Sequence, residues 1–557
     1  MIKVNKNKIL TIFVFLIILS LIPSAYAMEN TVDSGDHVSV VSNSSQIAVE
    51  NDNDVLNSPE SNVIYVDASS GDDTGTGASD SPFKTIQKGL STVGTNGTLY
   101  LNGEFKGGSN TNLEINNINL LITSEKGATI DGGNAARIFS ASNSNLVLNN
   151  LKLVNGYSSV NGGAIYINDT SSSLTISNSV FENNTVKGTS SNIGLGGAIY
   201  SNSFITFKDN VTFKNNSASY RGGAIYAVAG FNITGNNFYA IGNSVPKSSN
   251  GGFVYTNGIS YISGKNMLFA NNYAGGSSAI SGAIYAYCSL LSISGSNITF
   301  KNNYAKAGGA AIYAYQALLI NVVDAVFDNN SGQTGGAIRT ASLKDFNITG
   351  NNILFSNNKA TQYGGAIRSY GDCYIGGTNI LFVNNSVSGD GGYNHGGAIS
   401  CNNPKLTNSY NKITLNGVTF INNTAGYGGA VTVYITDIKN STFINNTANT
   451  GGAIYALNSH KNYPNIISNS VFINNEAQTA SDVGFYKNDS NNVNNNWWGD
   501  NNPTWDTRVN QNIVPASYAV LNLTANPITV GAGEATSIIA NFYANNTTNN
   551  INILQEY

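Results

Sequence analysis

The feature that most constrains this chain is its self-similarity. A Gly-Gly-Ala-Ile-Tyr element stands at residues 162–166, 196–200, 222–226 and 451–455. Variants follow at 251–255, 282–285, 308–313, 335–339, 364–368, 396–400 and 428–431. Between them runs a second element, Phe-x-Asn-Asn, beginning at Phe181, Phe213, Phe269, Phe300, Phe327, Phe355, Phe382, Phe420, Phe443 and Phe472. The period wanders from about 23 to about 34 residues, which suits stacked supersecondary units carrying loops of variable length.

The strand period of two makes physical sense of each unit. In GGAIY the Ile points one way, into a core, while Ala and Tyr point the other way. Segments such as Leu174-Thr175-Ile176 and Leu291-Ser292-Ile293 alternate likewise. In Phe-x-Asn-Asn the Phe and the first Asn share a face, so Asn183, Asn215, Asn272 and their equivalents are expected to form an amide ladder beside a Phe stack. Three short strands per unit, separated by Gly and Asn corners, describe one coil of a three-faced parallel solenoid. Successive coils would stack about 4.8 Å apart. Eleven coils, with one or two less regular ones at 113–155, give a rod of roughly 60 Å.

A solenoid needs covered ends. Residues 63–67, the polar turn 71–81 and a helix expected over 82–93 serve as the N-terminal cap, with Ser81-Pro82 as its N-cap and first turn. Ile86, Leu90 and Val93 then share a helical face. Trp497, Trp498 and Trp505, all the tryptophans of the chain, break the repeat at the other end and read as a plug. Upstream, Lys3, Lys6 and Lys8 precede an apolar run and the small-residue site Ala25-Tyr26-Ala27, so 1–27 reads as a secretory signal. Residues 28–62 carry no periodicity, 63–510 form the solenoid with its caps, and 511–557 begin another β segment. No second apolar stretch is long enough to span a membrane.

Composition narrows the function. Only 10% of residues are charged and the net charge is −4, so the basic footprint of a nucleic-acid binder is absent. Cys288, Cys373 and Cys401 do not have metal-ligand spacing and read as small buried side chains, although Cys373 and Cys401 stand about one repeat apart. No cofactor or metal is expected. Asp67, Asp72 and Asp73 in the cap have the chemistry for calcium, but a polar turn accounts for them.

The paired GGA(I/V/L) and Phe-x-x-Asn elements resemble the repeat of chlamydial polymorphic outer membrane proteins and of adhesin-like surface proteins of methanogenic archaea. Tyr65-Val66-Asp67, Gly71 and residues 81–87 are similar to the start of many pectate-lyase-like β-helix domains. Asn496-Trp497-Trp498-Gly499, Asn502-Pro503 and residues 520–542 resemble the archaeal arrangement in which the helix ends and an immunoglobulin-like domain begins, although 557 residues leave room only for part of that domain. The resemblance implies an all-β, right-handed parallel β-helix on the cell surface with an adhesive role.

On that reading the chain is an extracellular adhesin-like protein, not an enzyme. The alternatives are a polysaccharide lyase or hydrolase on the same scaffold and a passive cell-wall spacer. Catalysis would need clustered carboxylates or calcium ligands with a base. Instead the repeat region scatters Asp169, Glu182, Asp209, Asp324, Asp328, Asp345, Asp372, Asp390, Asp437 and Glu476. His37, His395 and His460 lie far apart, and His395 near Asp390 is the best single candidate for chemistry. What recurs is tyrosine. Tyr166, Tyr200, Tyr226, Tyr255, Tyr285 and Tyr313 are expected to form an outward aromatic ribbon suited to glycans or a protein surface, continued by Arg339 and Arg368 as a contact for an anionic ligand. Covered tyrosines would instead favour the spacer. Val383, Ile421, Ile444 and Ile473 form an outward aliphatic strip that the plug, a loop or a partner chain must cover. Sequons include Asn183, Asn215, Asn297, Asn384 and Asn445, some of them on the expected inward ladder.

Overall fold

The computed structural model describes residues 2–3, 62–188, 194–246, 249–341, 345–389, 392, 394–402, 411–458, 462–487, 491–526, 529–530 and 537–545. The signal-peptide reading of 1–27 lies essentially outside them, as do the segment 28–61, Asp390 and His460. The chain falls into two compact units, one of residues 1–61 with 522–541 and one of 62–521 with 542–557. The second is a parallel β-solenoid.

Each coil contributes to three parallel sheets. The GGAI strands build a sheet of fourteen among the described residues, from Leu113–Asn116 through Ile165–Ile167 to Val483–Phe485. Its register keeps like on like: Ile165, Ile199, Ile225, Val254, Ile284, Ile312, Ile338 and Ile367 are successive partners, all fully buried. A second, larger sheet carries the middle strands and the Phe strands, and in several coils one strand runs through both, as in Leu290–Lys301 and Ala317–Asp328. Two- to five-residue strands after the Phe corner make the third face.

The glycine pair is dictated by the turn into this sheet. Gly222 has φ +64°, and a Cβ there would lie 2.0 Å from the Ile225 carbonyl oxygen. Gly223 is the place where coils touch: its Cβ would lie 1.9 Å from the Gly252 carbonyl oxygen of the next coil.

The Phe-x-Asn-Asn corner corrects the expected ladder. The first Asn takes the left-handed conformation, φ +57° at Asn183 and +55° at Asn215, and is exposed. That backbone turn resets the alternation, so the second Asn points inward. Strict period-two counting fails at a left-handed residue, and Asn is the side chain that best tolerates one. The ladder is Asn184, Asn216, Asn243, Asn272, Asn303, Asn330, Asn358, Asn385, Asn423, Asn446 and Asn475, so Asn272 belongs to it and Asn183 and Asn215 do not. In each link the backbone N–H and Nδ2 of one Asn donate to Oδ1 of the next, as from Asn303 to Asn330 at 3.0 and 2.9 Å. The second Nδ2 hydrogen goes to the carbonyl at the Phe position of the preceding coil, Phe300 for Asn330 at 2.9 Å and Ala240 for Asn272 at 2.9 Å. Every donor and lone pair of the amide is thereby used inside the core. The sequon asparagines Asn183, Asn215, Asn384 and Asn445 are the outward corner residues, so the fold leaves them accessible.

Alongside, the Phe rings stack at 4.5–5.1 Å from Phe269 through Phe300, Phe327, Phe355, Phe382, Phe420, Phe443 and Phe472. Trp498 continues the row at 4.8 Å from Phe472, and Trp505 meets Trp498 edge-on at 5.8 Å. Trp497 and Trp498 are buried, as a plug requires.

At the N-terminal end the helix is Ile86–Thr92, shorter than expected, and its N-cap is Thr85, whose Oγ1 accepts from the Lys88 N–H at 3.2 Å. Ser81-Pro82 is not the cap, because Phe83 is drawn into a parallel bridge with Val66 and buried. The carboxylates of Asp67, Asp72 and Asp73 are engaged by the turn's own amides, Asp73 Oδ1 accepting from Lys84 N and Thr85 N at 2.9 Å each. Beyond the plug, Ala519–Asn526, Thr529–Val530 and Ser537–Ala544 are the strands among the described residues, and they do not by themselves establish an immunoglobulin-like sandwich.

Candidate functional site: the tyrosine and arginine face

The outward side of the GGAI sheet carries the predicted tyrosines in register. Their rings stack from Tyr166 to Tyr313 with centroids 4.6–5.5 Å apart. The row exists, but it is not an open ribbon. Tyr166 and Tyr200 are half-buried, whereas Tyr226, Tyr255, Tyr285 and Tyr313 are only 8, 3, 7 and 5% exposed. Leu195, Val228, Ile280 and Ala341 pack against them from the turns on either side. Burial pushes the Tyr255 hydroxyl up to about 12 and raises that of Tyr285 further. A period-two reading assigns a face correctly and says nothing about the loops that fold over it.

Arg339 and Arg368 do continue the row, as partners on adjacent strands. Arg339 is half-buried. Arg368 is 0% exposed, which removes it from the expected surface contacts. Two like charges coexist there because aromatic rings, not a carboxylate, surround them. The Arg368 guanidinium lies 4.2 Å from the Tyr363 ring and 4.8 Å from Tyr370, and it donates to Ser400 and Asn402. Arg339 stacks on Tyr313 and Tyr370 at 5.8 and 5.6 Å. Burial alone would raise the Tyr370 hydroxyl, but the two guanidiniums outweigh it and hold it below the usual phenol range.

The exposed aromatic residues of this face are ones the repeat reading passed over. Tyr287 and Tyr315 are 45 and 40% exposed, with ring centroids 4.4 Å apart. Their signal is visible in the sequence as Ile-Tyr-Ala-Tyr at 284–287 and 312–315, where the second Tyr clears the covering turns. On the short-strand face Tyr273 and Tyr304 form an exposed, near-parallel stack at 5.3 Å.

The groups required for catalysis are not brought together in the described region. Glu182 bridges Lys152 and Lys214 at 3.1 Å each, and Asp437 bridges Lys412 and Lys439 at 2.9 and 3.3 Å. Burial opposes the ionisation of both carboxyls, and their lysines outweigh it and hold them below the usual carboxylate range. His395 is stacked between Tyr363 and Tyr427 at 5.8 and 4.9 Å, and burial pushes it down to about 4, so it is neutral near pH 7. Asp390, its suggested partner, lies outside the described residues. Among the described residues no group of three or more His, Cys, Asp or Glu is placed to hold a metal ion. Cys288, Cys373 and Cys401 are free and buried. A separate polar groove of about 670 Å³ near the plug is lined by Asn445, Glu476, Asp500, Thr504 and Arg508.

The aliphatic strip is covered within the single chain. Ile421, Ile444 and Ile473 are 7, 0 and 3% exposed, so the chain itself covers them, and Val383 is half-buried.

The fold and its repeated corners define the class: a parallel β-solenoid of GGAI and Phe-x-Asn-Asn coils. Comparison with family models matches four segments, 210–228, 297–315, 352–370 and 440–457, to the Chlamydia polymorphic membrane protein repeat. Each match spans one Phe-x-Asn-Asn corner and the glycine turn after it. Searches of curated proteins and of solved structures found no match. Among the described residues no helix is long and apolar enough to cross a membrane.

Proposed function

We propose that the chain is an extracellular, cell-surface adhesin-like protein that binds glycans through the outer faces of its solenoid. The observation that carries this reading is the Chlamydia polymorphic membrane protein repeat on a parallel β-solenoid whose exposed faces display paired tyrosine rings, stacked at Tyr273 and Tyr304 and tilted at Tyr287 and Tyr315. Stacked phenols with free hydroxyl rims offer both a flat apolar face and hydrogen-bonding edges. Glu182 and Asp437 each sit between two lysines instead of facing a second carboxylate, which favours binding over hydrolysis.

A wall-layer spacer is the second reading, and the covering of Tyr226, Tyr255, Tyr285 and Tyr313 favours it. One experiment separates the readings. The full chain is incubated with insoluble polysaccharides and cell walls, and retained protein and released oligosaccharide are measured in the same tubes. Retention without release supports the adhesin reading. Release of fragments establishes an enzyme, and neither retention nor release leaves the spacer.

A further inference from the structure

The five arginines of the chain are used in two different ways. Arg508 forms an ion pair with Asp482 at 3.0 Å, and Lys106, Lys152, Lys214, Lys301, Lys412 and Lys439 are likewise paired with carboxylates. The other four arginines stand on the tyrosine face, and none has a carboxylate partner among the described residues. Each lies instead against tyrosine rings: Arg137 on Tyr166 at 4.7 Å, Arg221 on Tyr255 and Tyr220 at 4.8 and 4.9 Å, and Arg339 and Arg368 as described above. A guanidinium held flat on a ring spends its faces and keeps its N–H edge for a planar acceptor. Arg137 uses that edge on the Gly162 and Asn161 carbonyls and the Ser158 hydroxyl. Arg339 donates from Nη1 to the Ala307 carbonyl at 3.1 Å, and the Nε of both Arg221 and Arg339 is buried without an acceptor, so a ligand meets these guanidiniums through their terminal nitrogens, where both side chains reach the surface.

Position along the solenoid adds a second constraint. The Arg221 guanidinium covers Tyr255, and register runs from Tyr255 through Tyr285 and Tyr313 to Arg339. Three coil steps separate the two cations, roughly 14 Å at the usual strand spacing. Tyr287 and Tyr315, the exposed pair, belong to the two coils between them. Two cations that far apart, with flat hydroxyl-rimmed rings in the coils between, match a chain of rings bearing spaced anionic groups, not a single small anion.

We propose that this face binds an acidic polysaccharide, its carboxylate or sulfate groups held by Arg221 and Arg339 and its sugar rings lying on Tyr287 and Tyr315. The proposal rests on the glycan-binding reading above and names the ligand class. The probes are polygalacturonate, dextran sulfate, neutral dextran and single-stranded DNA, each immobilised and offered to the full chain. Retention on polygalacturonate or dextran sulfate is expected, stronger on whichever anion the forks prefer. It should weaken severalfold when salt is raised from about 50 to about 200 mM, as screening shortens the reach of the charges. R221Q and R339Q should each weaken it by roughly tenfold, and Y287S with Y315S by roughly three- to tenfold without changing Tm.

Neutral dextran retained as well as the acidic probes, with no effect of salt, overturns this inference and leaves glycan adhesion standing. Equal retention on DNA overturns it too, because the face would then read charge alone. Retention on cell walls but on none of the probes sinks the ligand class only, whereas retention on nothing sinks the glycan reading itself. Should R221Q or R339Q fail to fold, the salt dependence of the unmodified protein decides.

Discussion

One coil departs from the repeat in two places at once, and that departure can be used to test the packing logic. Register aligns Phe213, Ala240 and Phe269, so the Phe stack has an Ala in it. In the same coil the GGAI element reads Gly-Gly-Phe-Val, placing Phe253 where neighbouring coils have Ala224 and Ala283. The Phe253 ring is 1% exposed and sits 5.7 Å from Phe213, 5.9 Å from Phe238 and 5.9 Å from Phe269. It fills from the opposite sheet the space that Ala240 leaves. F253A should therefore open a cavity and destabilise the solenoid by about 3–5 kcal/mol. A240F alone places a second ring in occupied space and should cost about 1–3 kcal/mol. The double variant returns these two positions to the repeat with their volume conserved, so it should lie within about 1.5 kcal/mol of the parent. Urea unfolding followed by far-ultraviolet circular dichroism, and by the plug tryptophans, gives the four stabilities of the cycle. A double variant as unstable as the sum of the two singles would refute the reasoning, because the two positions would then be independent.

Other consequences follow from the same geometry. N330A removes the acceptor for two fully buried Asn303 donors and should cost about 3–5 kcal/mol by the same unfolding measurement, far more than N329A at the neighbouring corner. Burial, opposed by Arg508, raises the Asp482 carboxyl to about 6. Folding therefore favours its protonated form, and stability from this group is lost as pH rises from about 4 to about 6, by up to about 3 kcal/mol. His395 has the opposite sign: burial lowers it to about 4, so its contribution is lost as pH falls from about 6.5 to about 4. Stability against pH measured for D482N and H395F should deviate from the parent in opposite directions across that window, and parallel curves would count against both assignments. Burial pushes the Cys288 thiol up to about 11 and the Cys401 thiol up to about 12, so a thiol reagent near pH 8 should label neither until urea unfolds the chain.

The repeat made the coil legible because stacking forces each position to meet its own kind. The Ile of GGAI, the Phe row and the tryptophan plug follow from that rule and from alternation alone. Asn183 against Asn184 was not legible, since alternation cannot foresee which of two adjacent asparagines adopts positive φ. The same local blindness misplaced the helix cap at Ser81-Pro82, because the pull of Val66 on Phe83 is a long-range contact. For the functional face the sequence gives the row of tyrosines but not its cover. Exposure at Tyr287 and burial at Tyr285, two residues apart on one strand and its exit, depend on turns whose course no repeat dictates.

The end of the solenoid shows what such a repeat must guard against. A Phe stack and an Asn ladder are both self-propagating: each coil offers the next the partner it would itself accept, which also invites another molecule. Both rows stop at the same place. Trp498 occupies the next position in the aromatic row and meets Trp505 edge-on, so no parallel ring face remains on offer. In the amide row Asn475 donates at 3.0 Å to Asp482, not to another Asn. An ionised carboxylate accepts and cannot donate, so the chain of Nδ2–H···Oδ1 links ends there chemically, and Arg508 occupies the other oxygen at 3.0 Å. The direction of the row gives the carboxylate a further reason to be there. Each ladder amide turns its oxygen toward the N-terminal end and one Nδ2–H toward the C-terminal end, as from Asn303 to Asn330 and from Asn330 to Asn358. The exposed corner amides run the other way, from Asn297 to Asn266, Asn237 and Asn210. The buried row therefore presents the positive end of its aligned dipoles to Asp482, as a helix N-terminus does to a capping acid.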